Sequence, residues 1–270
     1  MPSQIEDLDM IAAYAPPMKL DPESGFVRCN MISSYDGAVA LDGRSGTLGG
    51  PADRRVFQTL RSWADVILVG AGTVRAEGYG PARLNDSLQV LRRERGQRPL
   101  PQIAIVTRSG NLDWGSPLFT DEQSFPLIVT TRRFETKEVP PHAHVDDVIQ
   151  TGHDRVDLQA AFRQLRRMGR GWILLEGGPA LNRDVLDAGL LDELCLTLSP
   201  CLAGGSGPRL FGAMTIEPPV DLRVVHVLEE DGYLFYRLVF GAAAGAGASA
   251  AHTAQSPPVD HSTHPGNPSA

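Results

Sequence analysis

The chain has 270 residues, 42% of them hydrophobic, and a formal net charge of −7, so it can bury a core but does not suit a protein that coats nucleic acid. It has no run of about 18 uncharged apolar residues, and its three cysteines form no C-x-x-C pair, so neither a membrane span, a disulfide framework nor a cysteine zinc site is predicted. The first twenty residues carry three acids before the first lysine, which argues against a signal peptide and predicts a cytoplasmic protein.

Three regions follow one another along the chain: an N-terminal arm (1–20), one folded domain (21–240) and a tail (241–270) rich in alanine, glycine and proline. The tail has no aromatic residue, leucine or isoleucine. Such a segment cannot bury enough apolar area to offset the entropy of ordering it, so we expect disorder there. We expect the arm to have little structure of its own.

Strands and helices alternate along the domain. Continuous apolar, β-branched runs predict strands that are covered on both faces, and apolar residues at helical spacing predict helices between them. An Asp-Gly pair near the end indicates a hairpin. The sequence therefore predicts an α/β fold with a mixed, mostly parallel sheet, helices on both faces and a C-terminal antiparallel hairpin. The predicted strands cover 26–33, 65–70, 103–106, 127–130, 172–178 and 192–200, and the predicted helices start at Pro51 and cover 157–169 and 179–190.

Two strand ends rich in glycine indicate a ligand site. The segment 70–73 (GAGT) follows one buried strand, and the segment 176–179 (EGGP) follows another. Glycines allow backbone N–H groups to approach a phosphate, and the carboxyl ends of parallel strands meet at the sheet edge where open α/β sheets bind ligands. We expect the two segments to converge at one site; the alternative is two unrelated tight turns.

Three further groups of polar residues each allow a functional and a structural interpretation. Arg108 and Ser109 follow the strand at 103–106, where they can bind phosphate or lie in a solvated loop. Asp53 falls in the first turn of a helix, where it can cap the helix or face a ligand. The arginines within 92–98 lack interleaved aromatic residues, so we expect a solvated face rather than a nucleic-acid patch.

Taken together, several segments resemble one family. Along residues 26–240 the following stretches occur in order: N-M-I-S-S-Y-D-G-A-V-A, G-G-P-A-D-R-R, L-R-S-W-A-D-V-I-L-V-G-A-G-T-V, E-G-G-P-A-L and L-L-D-E-L-C-L-T-L-S-P-C-L-A-G-G. The ordered set resembles the reductase domain of riboflavin biosynthesis, the C-terminal part of the bifunctional deaminase–reductase, in a stand-alone form without the deaminase domain. The resemblance implies a dihydrofolate-reductase-like fold, a homodimer, and NADPH-dependent reduction of 5-amino-6-(5-phosphoribosylamino)uracil to the ribitylamino product.

The resemblance, together with the strand-end argument, assigns roles to individual residues. Asp53 and Glu176 are the candidate catalytic residues, and no metal site is indicated. The candidate substrate-binding residues are Ser45, Asp53, Arg61, Arg83 and Glu176. The candidate cofactor-binding residues are Thr47, Gly70, Gly72, Thr73, Glu77, Arg108, Ser109, Gly177, Gly178, Pro179, Ala180 and Leu181.

One segment departs from the family pattern and leaves the substrate open. Residues 77–83 read E-G-Y-G-P-A-R where the family shows D-N-P-x-L-T-x-R. In the dihydrofolate reductase fold an acidic residue on the first helix binds the pterin ring, and Asp53 occupies a similar place. A dihydropterin or folate is therefore an alternative small-molecule substrate, and a non-catalytic nucleotide-binding homologue is a third interpretation. Neither a nucleic acid nor a membrane is expected as a partner.

Overall fold

The structure, a computed structural model, describes residues 7–17, 25–204, 207–212 and 219–241. Residues 1–6 and 18–20 of the predicted arm therefore lie outside the described residues. So does the predicted tail apart from Gly241. Among the helices of the described part, none combines the length and the apolarity that crossing a bilayer requires.

Nine strands of the described residues form one sheet. They are β1 Phe26–Ser34, β2 Val66–Gly70, β3 Gln102–Val106, β4 Leu127–Thr130, β5 Asp147–Gln150, β6 Trp172–Leu175, β7 Glu193–Ser199, β8 Leu222–Glu230 and β9 Tyr233–Phe240. Their order across the sheet is β5-β4-β3-β2-β6-β1-β7-β9-β8. Neighbours from β5 to β7 are parallel, and β9 runs antiparallel to both β7 and β8.

Helices cover both faces of this sheet. They are α1 Asp7–Ala13, α2 Pro51–Trp63, α3 Ala71–Glu77, α4 Asp86–Glu94, α5 Pro117–Thr120, α6 Leu158–Arg167 and α7 Pro179–Asp187, with a short 3-10 helix at Thr136–Glu138. Side chains alternate across a strand, so β2 contributes to two cores. Ile67 and Val69 pack with α1, α2, α3 and α5, whereas Val66 and Leu68 pack with α6 and α7. The predicted architecture, including the C-terminal hairpin, is confirmed.

The arm contains more structure than its sequence suggests. Helix α1 forms, and Met10 and Tyr14 are both 1% exposed. Two buried arginines hold the end of this segment: Arg28 donates to the Tyr14 carbonyl over 2.9 Å, and Arg237 donates to the Ala13 carbonyl over 2.6 Å. Because these partners lie 14 and 224 positions away and outside the arm, the local pattern of the arm does not indicate them.

The expectation of a solvated arginine face at 92–98 is wrong for Arg92, which is 1% exposed. Its Nη1 donates to the carbonyls of Arg61, Ser62 and Ala64 at the end of α2, where the last carbonyls of a helix lack the usual i+4 backbone donors. Arg93 remains exposed on the same helix, α4. A guanidinium has several donors in a fixed fork, so it can be buried when it satisfies the end of a neighbouring helix.

Candidate active site

A cleft of about 620 Å³ opens at the carboxyl-terminal edge of the parallel strands. Its walls come from the second half of β1, the loop that precedes α2, and the first turns of α2, α3 and α7. This is the edge at which open α/β sheets bind ligands. The cleft is therefore the candidate site, and its position agrees with the strand-end prediction.

The two glycine-rich strand ends meet at this cleft, as predicted. Strands β2 and β6 are parallel neighbours, and the Gly70 N–H donates to the Gly177 carbonyl over 2.7 Å. A Cβ added at Gly178 would lie 2.6 Å from the Thr73 hydroxyl oxygen, so a side chain has no room there. Gly177 itself has φ = +90°, a conformation that favours glycine. The glycines thus allow two helix starts to approach each other closely.

Those two helix starts carry no side-chain cap. Gly70 and Gly178 are the N-cap residues of α3 and α7, whereas the starts of α4 and α6 away from the cleft are capped by the side chains of Asn85 and Asp157. The first N–H groups of an uncapped helix can bind an anion. A Cβ added at Gly72, which lines the cleft, would meet no atom within 4 Å, so open space remains beside α3. This arrangement fits the pyrophosphate of a dinucleotide.

A buried cluster of Glu176, Arg61 and Tyr79 lies at one side of the cleft. Arg61 Nε and Nη2 donate to the two Glu176 carboxylate oxygens over 2.8 and 2.7 Å. The Tyr79 hydroxyl donates to Glu176 Oε2 and accepts from Arg61 Nη2 over 3.1 Å. The Arg61 guanidinium also lies 4.0 Å from the ring centroid of Phe57. Glu176 and Tyr79 line the cleft, while Arg61 lies behind them.

Asp53 faces the cleft from the first turn of α2. Its carboxylate accepts a hydrogen bond from Thr197 on β7, and the N-cap of α2 is Gly50. Burial raises the pKa of Asp53 above its ordinary value, and the Thr197 hydrogen bond and the nearby Arg54 oppose that shift only in part. Asp53 lines the cleft and is not the N-cap residue of α2, and its ligand-facing role stays a prediction. A carboxyl group with a raised pKa in a cleft is a candidate proton donor.

A hydrogen bond joins the loop before α2 to the end of α3. The backbone N–H of Ser45 donates to Glu77 Oε1 over 2.8 Å, and both residues line the cleft. Glu77 therefore fixes the loop that carries Ser45. Thr47, in the same loop, is exposed and donates to the Arg44 carbonyl over 3.2 Å.

The structure brings most of the predicted site residues to the cleft wall. These are Ser45, Asp53, Gly70, Gly72, Thr73, Glu77, Glu176, Gly178, Pro179, Ala180 and Leu181. Gly177 lies directly beside them through its peptide bond to Gly178. The other predicted residues, Thr47, Arg61, Arg83, Arg108 and Ser109, do not line the cleft.

Arg83 and Arg108 lie elsewhere. The Arg83 side chain is 79% exposed, and its nearest acid is Asp121 at 3.8 Å. Arg108 lines a neighbouring recess of about 440 Å³, which shares Leu181 with the cleft. Ser109 follows it and is exposed. A single ligand can therefore contact both Arg108 and the cleft residues only when it extends through the cleft and the recess.

Thirteen residues of the cleft wall were not predicted, and three of them carry charged or aromatic side chains. Tyr79 lies in the segment that departs from the family pattern, and Arg54 and Phe57 lie on α2. For the α2 residues a signal exists: Arg54, Phe57 and Arg61 are spaced at i, i+3 and i+7, so they share one face of the helix. For Tyr79 the sequence offers no comparable signal, because its partners are distant in the chain.

Comparison with known proteins places the chain in a family. A protein-family model described as the RibD C-terminal domain matches residues 25–232. The chain is 27% identical over 181 residues to the 2,5-diamino-6-ribosylamino-4(3H)-pyrimidinone 5′-phosphate reductase of Archaeoglobus fulgidus, a match that covers 67% of this chain and 82% of that protein. It is 31% identical over 179 residues to the riboflavin biosynthesis protein RibD of Mycobacterium tuberculosis, covering 64% of this chain and 41% of that protein.

Among solved structures, a pyrimidine reductase-like protein from Corynebacterium diphtheriae is similar, with a TM-score of 0.72 and 27% identity. The match covers 86% of this chain and 98% of that one. Since the family model covers the cleft-forming segments from β1 to β8, the chain belongs to the RibD C-terminal domain family.

Proposed function

We propose that the protein is an NADPH-dependent oxidoreductase that reduces 5-amino-6-(5-phosphoribosylamino)uracil to the ribitylamino product in riboflavin biosynthesis. The observation that carries this proposal is a single cleft that combines two uncapped helix starts with the carboxyl groups of Asp53 and Glu176. Relatives named as reductases of a ribosylaminopyrimidinone 5′-phosphate support the same class of reaction. The substrate in their names carries an amino group at ring position 2, where uracil carries an oxygen, so both compounds belong in an assay.

The start of α7 is the proposed pyrophosphate site. The segment from Gly178 to Leu181 lines the cleft, and its free N–H groups and the helix dipole favour a negative charge there. The Thr73 hydroxyl lies beside Gly178 and adds a donor. Bound NADPH supplies a hydride, and these groups hold it so that its reactive carbon lies close to the substrate.

The recess beside the cleft is the proposed site for the adenosine end of the cofactor. Arg108 and Arg155 line it, and two guanidinium groups suit the 2′-phosphate that distinguishes NADPH from NADH. Asp184 and Asp187 line the same recess, where their carboxylates can accept hydrogen bonds from ribose hydroxyls. Leu181 borders both spaces, so one extended dinucleotide can occupy them together.

Asp53 is the proposed proton donor. In its open-chain form the ribosylamine is an imine, and its reduction adds a hydride to the C1′ carbon and a proton to the imine nitrogen. The raised pKa of Asp53 keeps more of this carboxyl group protonated near neutral pH than an exposed aspartate would be. After the transfer, Asp53 regains its proton from water at the open side of the cleft.

Glu176 is proposed to orient the substrate. Arg61 and Tyr79 fix both carboxylate oxygens in one orientation, and Glu176 still lines the cleft. A carboxylate has lone pairs beyond those that these donors use, so it can also accept from a hydroxyl of the substrate sugar. Ser45 lies across the cleft on the loop that Glu77 fixes, and it is the proposed second contact.

A dihydropterin remains the second candidate substrate, and Asp53 is the observation that favours it. A carboxylate on α2 that faces the cleft can pair with the ring nitrogens of a pterin. The two candidates differ in phosphate: the ribosylaminopyrimidine carries one and the pterin ring does not. A protein that bound NADPH but reduced neither compound would be the non-catalytic homologue.

The proposed assembly is a homodimer that uses the edge strand β8. Leu222, Val224, Val225 and Val227 on this strand are between 41% and 50% exposed. An edge strand with exposed apolar side chains and unpaired backbone groups suits contact with a second sheet. The same residues on a second copy would make a symmetric interface.

The fate of the transferred hydrogen tests the reaction. NADPH that carries deuterium in place of the transferable hydrogen is incubated with the protein and each pyrimidine substrate, and the product is analysed by mass spectrometry. We expect a ribitylamino product with one deuterium at C1′. If no product gains deuterium and the ribosyl compound is recovered unchanged, the proposed reaction is wrong.

A further inference from the structure

More acidic than basic side chains line the cleft, and this excess of negative charge constrains where a substrate phosphate can bind. Among the described residues that line it, the charged ones are Asp53, Arg54, Glu77 and Glu176, so Arg54 is the one cation. No acidic group of the described residues lies within ion-pair distance of Arg54, whereas its neighbour Arg55 pairs with Glu230. Arg54 lies near enough to Asp53 to lower the pKa of that carboxyl group, but it forms no ion pair with a described acid, so its guanidinium donors are available to an anion that enters the cleft.

The two arginines that the motifs suggest for a substrate phosphate are engaged elsewhere. Arg61 donates two hydrogen bonds to Glu176 and one to the Tyr79 hydroxyl, and the Glu176 carboxylate neutralises the Arg61 charge. Arg83 is 79% exposed and does not line the cleft. A phosphate monoester that enters the cleft therefore needs another cation.

Arg54 has the position that such a cation needs. Arg54, Phe57 and Arg61 lie on one face of α2, and they are exposed, half-buried and buried in that order. Along this face of α2, exposure therefore falls from Arg54, which lines the cleft, to Arg61, which lies behind the cleft wall. A phosphate at Arg54 stays partly hydrated at the mouth, while the sugar and the base extend inward towards Glu176 and Asp53.

We propose that Arg54 binds the phosphate of the substrate and thereby selects phosphorylated ribosylaminopyrimidines over unphosphorylated ones. This assignment rests on the proposed function and adds a specificity-determining residue to it. Guanidinium–phosphate pairs are charge-assisted and can be bidentate, which makes them strong and directional. Phosphate groups of the cofactor are the other possible source of the same chemistry, and the kinetic test separates the two.

The kinetic test compares Arg54→Gln with Arg163→Gln, which removes the same charge from an exposed position on α6. For Arg54→Gln we expect the KM for the phosphorylated pyrimidine to rise about tenfold or more, with a smaller change in kcat. The KM for the dephosphorylated ribosylamine and the KM for NADPH should stay unchanged, and Arg163→Gln should alter none of them. Equal effects on both pyrimidines, or an effect on NADPH alone, would overturn the assignment.

A binding measurement separates this assignment from the proposed reaction. Calorimetric titration with ribose 5-phosphate and with ribose should show tighter binding of the phosphorylated sugar by the wild-type protein, and Arg54→Gln should abolish the difference. If the wild-type protein reduces no pyrimidine but shows this preference, and Arg54→Gln abolishes it, the reaction is contradicted and the assignment of Arg54 is supported. A wild-type protein that reduces the pyrimidine, with a preference that survives in Arg54→Gln, contradicts Arg54 and leaves the reaction intact.

Discussion

Asp53 is half-buried in the cleft beside one hydrogen-bond donor, Thr197, and partial burial raises its pKa above the ordinary value of 3.8. The folded protein therefore holds this proton to higher pH than the unfolded chain does. Between the two pKa values stability falls as pH rises, because ionisation costs more in the folded state. At neutral pH the charged form of Asp53 thus lowers the free energy of unfolding.

Replacing this carboxyl group should separate stability from activity. We expect Asp53→Asn to raise Tm at pH 7, with the gain shrinking as pH falls from the raised pKa of Asp53 towards 3.8 and vanishing below it, and to lower kcat by about 10²- to 10⁴-fold. Calorimetry at several pH values and steady-state kinetics measure the two effects. The control is Asp86→Asn, an exposed first-turn residue of α4, which should leave kcat unchanged. Full activity of Asp53→Asn would exclude it as the proton donor.

The pair of Arg61 and Glu176 is buried, so the loss of one partner leaves an uncompensated charge. We expect Arg61→Ala to lower the free energy of unfolding by about 3–5 kcal/mol, and the double variant with Glu176→Gln to recover part of that loss. Arg133→Ala breaks an exposed pair with Asp154 and should cost less than about 1 kcal/mol. Urea denaturation of the wild-type protein, Arg61→Ala, Glu176→Gln, their double variant and Arg133→Ala measures these values. Additive effects in the double variant would show that the two side chains do not interact.

At the scale of whole elements, the end of α2 depends on a side chain from another helix. Arg92 of α4 donates to three carbonyls at that end and is almost fully buried. We expect Arg92→Met, which keeps most of the volume and removes the donors, to lower the free energy of unfolding by about 3 kcal/mol. Arg93→Met, at an exposed position of the same helix, should change it by less than about 0.5 kcal/mol. Equal denaturation midpoints for the two variants would contradict this account of the α2 end.

The sequence predicted those elements whose signal is local. The β-branched run at 65–70 gave β2, Pro51 gave the start of α2, and Asp231-Gly232 gave the hairpin. Helix α1 was missed because its stabilising partners lie outside the arm: Arg28 is on β1, and Arg237 is on β9, 224 positions from Ala13. Burial of a polar or charged side chain cannot be inferred from its own neighbours in sequence, and the incorrect expectation for Arg92 has this cause.

In the candidate site, too, features with a local sequence signal were predicted, and contacts between distant segments were not. The glycines of the two strand ends were predicted to converge because parallel strands end at one edge of a sheet. The contact of Arg61 with Glu176 joins residues 115 positions apart, and nothing in either segment indicates that one engages the other. The role of Arg54 became visible only after the structure had shown that Arg61 is neutralised and that Arg83 lies outside the cleft.

At the scale of the whole molecule, the proposed homodimer depends on the exposed apolar side chains of β8. Light scattering at micromolar concentration should give the mass of two chains for the wild-type protein and of one chain for the variant Val224→Lys/Val227→Lys. Both positions are about half exposed within a single chain, so the substitutions should not disturb the core. A control at the exposed residue Val90 on α4, Val90→Lys, should leave the dimer intact. If light scattering gives the mass of one chain for the wild-type protein, the proposed homodimer is wrong.

The proposed function depends on which compound the protein reduces. The most direct measurement is the rate of NADPH oxidation by the wild-type protein with 5-amino-6-(5-phosphoribosylamino)uracil, its 2-amino counterpart or dihydrofolate as the second substrate, each repeated with NADH. We predict turnover with a phosphorylated ribosylaminopyrimidine, a higher kcat/KM with NADPH than with NADH, and no turnover with dihydrofolate. Turnover with dihydrofolate alone, or NADPH binding without oxidation in the presence of any of the three compounds, would contradict the central claim.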